Sequence, residues 1–239
     1  MMENEVLISN RLKQVGKYVA RGTFLADIGS DHAYLPVYLC KNDPSLRAIA
    51  GEVSLGPLKN AQQNIERHHL SKRIEAKLGN GLDVVDERID EVTICGMGGS
   101  LIATILENGQ DKLKYVHKII AQPNNQEKLV RKKLLELGFN LSDEMIMEEN
   151  GHIYEIIIAT RNDESCYNRH INQEIQHVFG PKLMQEQTET FKKKWHLEKK
   201  AYKRILKQLA NAKHEQTDKI KEINEMLKQI EEVVQFDET

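Results

Sequence analysis

TFLADIGSDHAYLPVYL, residues 23–39, passes from an apolar run through an acidic residue and a glycine turn into a helical pattern. Residues 23–28 have the composition of a buried strand, which puts Asp27 at its C-terminal end and Gly29 in the turn, where the backbone can approach a ligand. The turn departs from the G-x-G-x-x-G form of a dinucleotide site. Asp31 stands where a pyrophosphate needs glycine and bare amide groups, and its charge would repel a phosphate. A ligand with a positive or neutral group suits the turn better, and S-adenosylmethionine, with its sulfonium and ammonium, is such a ligand.

Outward from this stretch the pattern alternates. An amphipathic helix at 9–20 precedes strands expected at 23–28, 47–53, 74–78, 92–95 and 118–122, separated by helices at 34–40, 55–68, 101–107 and 126–137. Two last strands, 141–148 and 154–160, are joined through Glu149, Asn150, Gly151 and His152 without a helix, which makes them an antiparallel hairpin. Seven strands interleaved with helices predict an α/β doubly wound sheet, parallel except for one reversed strand. That is the architecture of a class I, Rossmann-like methyltransferase, whereas a pyrophosphate-binding dehydrogenase would need another βαβ unit.

With 40% apolar residues in 239, the chain can build one sizeable core plus an extension. No apolar stretch has membrane-spanning length, and the N-terminal residues lack the order of a signal peptide, so no membrane association is expected. Cys40, Cys95 and Cys166 are scattered and odd in number, which supports neither a metal site nor a disulfide framework and points to a reducing cytoplasm.

The strand ends supply the site candidates. Glu52 ends the second strand, where a carboxylate can accept from both ribose hydroxyls of a nucleoside; the alternative is a solvated strand-end acid. Asn80-Gly81-Leu82 follows the third strand, its amide suited to an adenine edge and Leu82 to the adenine face, although Asn-Gly is also a common turn. After the fourth strand, Gly96-Met97-Gly98-Gly99 lets a base and a methyl donor approach the backbone. Gln122 and Asn124 at the end of the fifth strand carry amides that can hold the Watson–Crick edge of a purine; the alternative is that Asn124 or Asn125 caps the next helix. His32 and Tyr34 flank the first turn and can meet a substrate there. Cys95, next to Gly96, is either a thiol bordering the site or a buried strand cysteine without chemistry.

After Asp163 no strand-like run occurs. A helical stretch is expected at 164–178, then a break at Gly180-Pro181, then apolar residues at 3–4 spacing: Tyr202, Leu206, Leu209, Ile220, Ile223, Leu227, Ile230 and Val234. An interruption at Lys213 and Gln216, near Asn211 and His214, predicts two helices folded back on each other. The net charge of −2 conceals a strong asymmetry, because residues 192–213 hold nine basic residues against the single acid Glu198. Lys193, Lys200, Arg204 and Lys207 recur along one stripe clear of the apolar seam, a candidate surface for RNA phosphates; such a run can also be an ordinary solvated face.

DIGSDHAYLP (27–36), GEV with GPL, GNGL, CGMGG and QPN together resemble the motif series of the bacterial tRNA (adenine22-N1)-methyltransferases, the TrmK family, over the whole chain. The resemblance implies a methyltransferase domain at 1–162, a helical coiled-coil domain at 163–239 that binds tRNA, and methyl transfer from S-adenosylmethionine to N1 of adenine 22. It places Asp27, Gly29, Ser30, Asp31, His32, Glu52, Val53, Asn80, Gly81, Leu82, Gly96 and Met97 around the cofactor, and Gln122, Asn124, His32 and Tyr34 toward the adenine. No metal is implied, and a monomer is favoured. Two other readings use the same features: a small-molecule methyltransferase with a dimerising coiled coil, whose activity would barely respond to salt, and a non-enzymatic coiled-coil adaptor, which would bind no cofactor.

Overall fold

A computed structural model describes residues 6–210 and 217–236, and the chain divides into two compact units, 1–166 and 167–239. The first unit holds all seven strands: β1 (Phe24–Ile28), β2 (Arg47–Glu52), β3 (Ile74–Leu78), β4 (Glu91–Met97), β5 (Lys118–Pro123), β6 (Asn140–Glu149) and β7 (His152–Thr160). Their order in the sheet is β3-β2-β1-β4-β5-β7-β6, with β7 antiparallel to β5 and β6 and every other pair parallel. The order reverses between β1 and β4, so a crevice opens beyond their C-terminal ends, where ligands of such sheets bind. Both faces are covered by helices, and the central strands are therefore apolar throughout: Leu25, Ala26, Ile49, Ala50, Val92, Ile94, Ile119 and Ile120 are at most 1% exposed.

The helices of this unit are α1 (Asn10–Tyr18), α2 (Tyr34–Asn42), α3 (Leu55–Arg67), α4 (Gly99–Asn108) and α5 (Glu127–Glu136). Ser9 caps α1 by accepting from the Leu12 N–H at 3.2 Å. The hairpin turn places Asn150 and Gly151 at φ 52° and 79°, the positive pair that a two-residue type I′ turn requires. It projects at the same sheet edge as the ends of β1 and β4. Arg131 of α5 is buried against the hairpin, bonded through Nε to Glu144 Oε1 at 2.6 Å and also to Glu155. Burial opposes the charge on Arg131, and the two carboxylates more than restore it.

Two expectations need correction. The fourth strand does not stop at Cys95: it continues through Met97 with a bulge, Cys95 pairing with Gln122 and Met97 with Pro123 while Gly96 (φ 75°) is left over. The stretch 164–178 is not one helix. Cys166 is tied to β6 through its N–H and the Leu141 carbonyl at 2.7 Å, and helix begins only at α6 (Gln173–Phe179), capped by Asn172 Oδ1 accepting from the Glu174 N–H at 2.8 Å.

In the second unit Pro181 opens α7 (Pro181–Glu186), and α8 (Glu189–Ala210) pairs antiparallel with α9 (Thr217–Val233). Lys199 at the middle of α8 meets Glu231 near the end of α9 at 2.9 Å, and Gln187, just before α8, donates to the Val233 carbonyl at 3.0 Å. The expected seam faces inward, with Ile223, Ile230 and Val234 buried, and Phe179, Phe191 and Trp195 extend it as an aromatic cluster. The expected interruption, at Asn211, Lys213, His214 and Gln216, lies outside the described residues. Lys193, Lys200, Arg204 and Lys207 are all exposed on α8.

Candidate active site

At the edge where β1, β2, β4 and β5 end, the turn after β1 is unusual in its backbone. Asp31, His32 and Ala33 have φ of 43°, 64° and 58°, three successive non-glycine residues in the left-handed region, each costing about 1–3 kcal/mol and kept there only where its surroundings over-determine it. They do so here. The N–H groups of Gly29 and Ser30 donate to the Gly51 carbonyl at 3.0 and 3.1 Å, Asn64 of α3 donates to the His32 carbonyl at 2.8 Å, and the N–H groups of His32 and Asp31 reach the Glu52 carboxylate. The place a Cβ would take at Gly29 is filled by the Met97 methyl, so the turns after β1 and β4 touch.

Asp27 does not project freely. It is buried, opposite Thr93 in the register, and accepts from Thr93 Oγ1 at 2.6 Å and Ser30 Oγ at 2.5 Å. Burial raises its pKa above the usual carboxylate range, the two hydroxyls pull it back, and Asp31 adds a further push. Glu52 is also buried, and its pKa is raised by burial and then by the charges of Asp27 and Asp31, with the two turn amides opposing. Its Oε1 has no hydrogen-bond partner. A buried carboxylate oxygen left unsatisfied is costly, and a hydroxyl donor arriving at the end of β2 would relieve it. That donor set fits a ribose.

Around this acid pair the edge is apolar and open. Val53 is 72%, Leu55 63%, Leu78 53% and Leu101 51% exposed, each at the end of a strand or the first turns of the helix after one. Large apolar side chains left in water at one sheet edge suit the flat face of a base. Asn80 is exposed beside Gly81, but Leu82 is 1% exposed and its side chain lies where a Cβ on Gly109 would stand. The structure thus corrects the expectation for Leu82: its side chain packs in the core beneath the edge. His32 and Tyr34 are partly exposed with ring centroids 5.5 Å apart.

The ends of β4 and β5 are laced together. Asn124 N–H donates to the Met97 carbonyl at 2.8 Å, Gly99 N–H to the Asn125 carbonyl at 3.0 Å, and a Cβ at Gly99 would strike the backbone of Asn125 and Gln126. Glycine at 99 therefore serves the packing of α4 on this turn, not a ligand. The helix after it starts from Gln126 in the left-handed region with no side-chain cap, so neither Asn124 nor Asn125 is spent as a cap. Gln122 is completely buried, and its amide is used inside the protein: Oε1 accepts from Gly96 N–H at 3.0 Å and from Arg11, while Nε2 donates to the Pro123 carbonyl at 2.8 Å and to Asn124 Oδ1 at 3.4 Å. It cannot itself meet a base edge, which corrects that expectation. Asn124 can: it is exposed, with Nδ2 donating to the Gly96 carbonyl at 2.7 Å. Cys95 is held as a thiol, its pKa pushed far up by burial and by Asp27.

Arg11 carries no signal in the sequence that marks it for the site. Its guanidinium comes from α1, more than a hundred residues before Gln122, and lies 5.1 Å from the centroid of the Tyr154 ring. Only the antiparallel hairpin brings Tyr154 there, and no local pattern singles out either residue.

The family model for tRNA (adenine(22)-N(1))-methyltransferase, TrmK, matches residues 25–232. Among curated proteins the chain is similar to the tRNA (adenine(22)-N(1))-methyltransferase of Bacillus subtilis, 38% identical over 97% of this chain and 98% of the other. The crystal structure of the B. subtilis M1A22 tRNA methyltransferase TrmK superposes with a TM-score of 0.89, covering 97% of this chain and all of that one at 38% identity. The Streptococcus pneumoniae protein Sp1610 in complex with S-adenosyl-L-methionine is similar at TM-score 0.83 and 36% identity, covering 96% of this chain and all of that one.

Proposed function

This chain belongs to the tRNA (adenine(22)-N(1))-methyltransferase family, and from that premise we propose how its residues divide the work. It is an S-adenosylmethionine-dependent enzyme that methylates N1 of adenine 22 in tRNA. The cofactor, when bound, supplies an electrophilic methyl group on sulfonium. Glu52 takes the ribose hydroxyls, Asp27 with Asp31 supplies negative charge toward the ammonium and sulfonium, and Gly29, Ser30 and His32 form the turn around the amino-acid part. Val53, Asn80 and Gly81 border the adenine of the cofactor, while Gly96 and Met97 line the methyl side. The observation that carries this assignment is the unpartnered Oε1 of buried Glu52 beside the exposed apolar edge.

Asn124, next to Gly96, faces the target base, with His32 and Tyr34 on the other side of the opening. N1 of neutral adenine carries its lone pair already, so displacement needs no general base, and the site's contribution is orientation. The base must leave its pairing in the tRNA, and phosphate contacts from the exposed basic stripe of residues 163–239 offset that unstacking. We propose further that the protein acts as a monomer in the cytoplasm. Incubation with labelled S-adenosylmethionine and tRNA, followed by primer extension, tests the assignment: methylation of N1 blocks pairing and stops the polymerase immediately 3′ of position 22. A stop elsewhere, or label without a stop, overturns it.

A further inference from the structure

Arg11 heads a chain of hydrogen bonds whose direction is fixed by chemistry. The guanidinium and the Gly96 N–H can only donate, and both donate to Gln122 Oε1; the Pro123 and Gly96 carbonyls can only accept, and they take Gln122 Nε2 and Asn124 Nδ2. Reversing the Gln122 amide would set its NH2 against two donors and its oxygen against a carbonyl. Reversing Asn124 would set its oxygen against the Gly96 carbonyl and its NH2 against Gln122 Nε2. One arrangement satisfies every member, and its outermost group is Asn124 Oδ1, an acceptor on an exposed residue with a second lone pair to give. Arg11, the charged member, makes the strongest demand on Gln122. Two contacts anchor Arg11 in that place. Glu149 Oε1 at the hairpin tip accepts from the Asn10 and Arg11 N–H groups at 2.6 and 3.3 Å, and the Tyr154 ring supports the guanidinium.

We propose that Arg11 and Gln122 are positioning residues that, together with the Gly96 carbonyl, set the direction of this relay, so that Asn124 presents an acceptor to the 6-amino group of the target adenine and the enzyme prefers a purine carrying that donor. The proposal rests on the assignment of Asn124 to the target base. Guanine and hypoxanthine bear an acceptor at the same place and are turned away by the same oxygen.

The test compares tRNA with adenine at position 22 against the same tRNA with unsubstituted purine there, which keeps N1 but lacks the amino group. The lower basicity of N1 in purine is common to all variants and cancels when their preferences are compared. Wild type is expected to favour adenine by about tenfold more in kcat/KM than Asn124→Ala does, the worth of one such hydrogen bond. Gln122→Glu keeps the partner of Arg11 but sets an acceptor against Asn124 Oδ1 while the Gly96 carbonyl still holds Nδ2, so the oxygen is pushed from its place toward the base and the preference narrows toward that of Asn124→Ala. Arg11→Met narrows the preference while Arg11→Lys retains most of it. In an Asn124→Ala background neither change moves the preference further. Cofactor affinity, measured by calorimetry on each variant, reports that the fold is intact. Slower turnover of both tRNAs with an unchanged preference in Gln122→Glu and Arg11→Met overturns the relay but leaves the Asn124 contact standing, whereas a wild type with no greater preference than Asn124→Ala overturns that contact and the relay together.

Discussion

Glu52 is the residue at which stability and function pull in opposite directions. Its pKa is raised by burial and by the neighbouring acids, so the folded protein holds a proton that the unfolded chain releases in the window above the ordinary carboxylate value. Stability of the free protein therefore falls as pH rises through that window, and the penalty persists at neutral pH. Glu52→Gln should raise the melting temperature of the cofactor-free protein at pH 7, because it removes a buried charge held beside Asp27 and Asp31, and should leave it unchanged at pH 3 to 4. The same variant should bind S-adenosylmethionine more weakly by about 1–3 kcal/mol through lost charge-assisted bonds. Melting curves at the two pH values with calorimetry decide it; a variant that melts lower at pH 7 yet binds cofactor normally would mean that Glu52 is a structural acid.

At the scale of elements, the reversal of strand order between β1 and β4 puts the site where it is, and the bulge at Gly96 sets its rim. By ending β4 one residue out of register, the bulge turns the Gly96 carbonyl toward Asn124 and its N–H toward Gln122. Helix α8 contributes separately. If its exposed stripe touches phosphate, changing Lys200, Arg204 and Lys207 together to Gln should weaken tRNA binding and flatten the slope of log K against log[salt] by roughly three units, about one per lost contact. Cofactor affinity should not move. A slope identical to wild type across the salt series would assign the stripe to solvent and the RNA to another face.

For the molecule as a whole, all seven strands and every residue assigned to the cofactor lie in the unit ending at residue 166. A chain ending at Cys166 should fold cooperatively and bind S-adenosylmethionine, yet methylate tRNA poorly for want of the helices proposed to grip phosphate; full tRNA activity in it would remove the proposed RNA-binding role from residues 167–239. The sequence by itself determined the seven strands, the reversed hairpin, the acids at the ends of β1 and β2 and the apolar seam of the last two helices. These are written in periodicity and turn residues, which act over a few neighbours. Where Leu82 points, how Asp27 is engaged, why Gly99 is glycine and what Arg11 does were decided only by tertiary structure. Each depends on a partner brought in from a distant strand or helix: Gly109 beneath Leu82, Thr93 opposite Asp27, the backbone of Asn125 and Gln126 against Gly99, Gln122 and Tyr154 around Arg11. Local patterning fixes which residues reach the sheet edge, but a hydrogen bond's direction is set by whichever donor or acceptor the folded chain places opposite it.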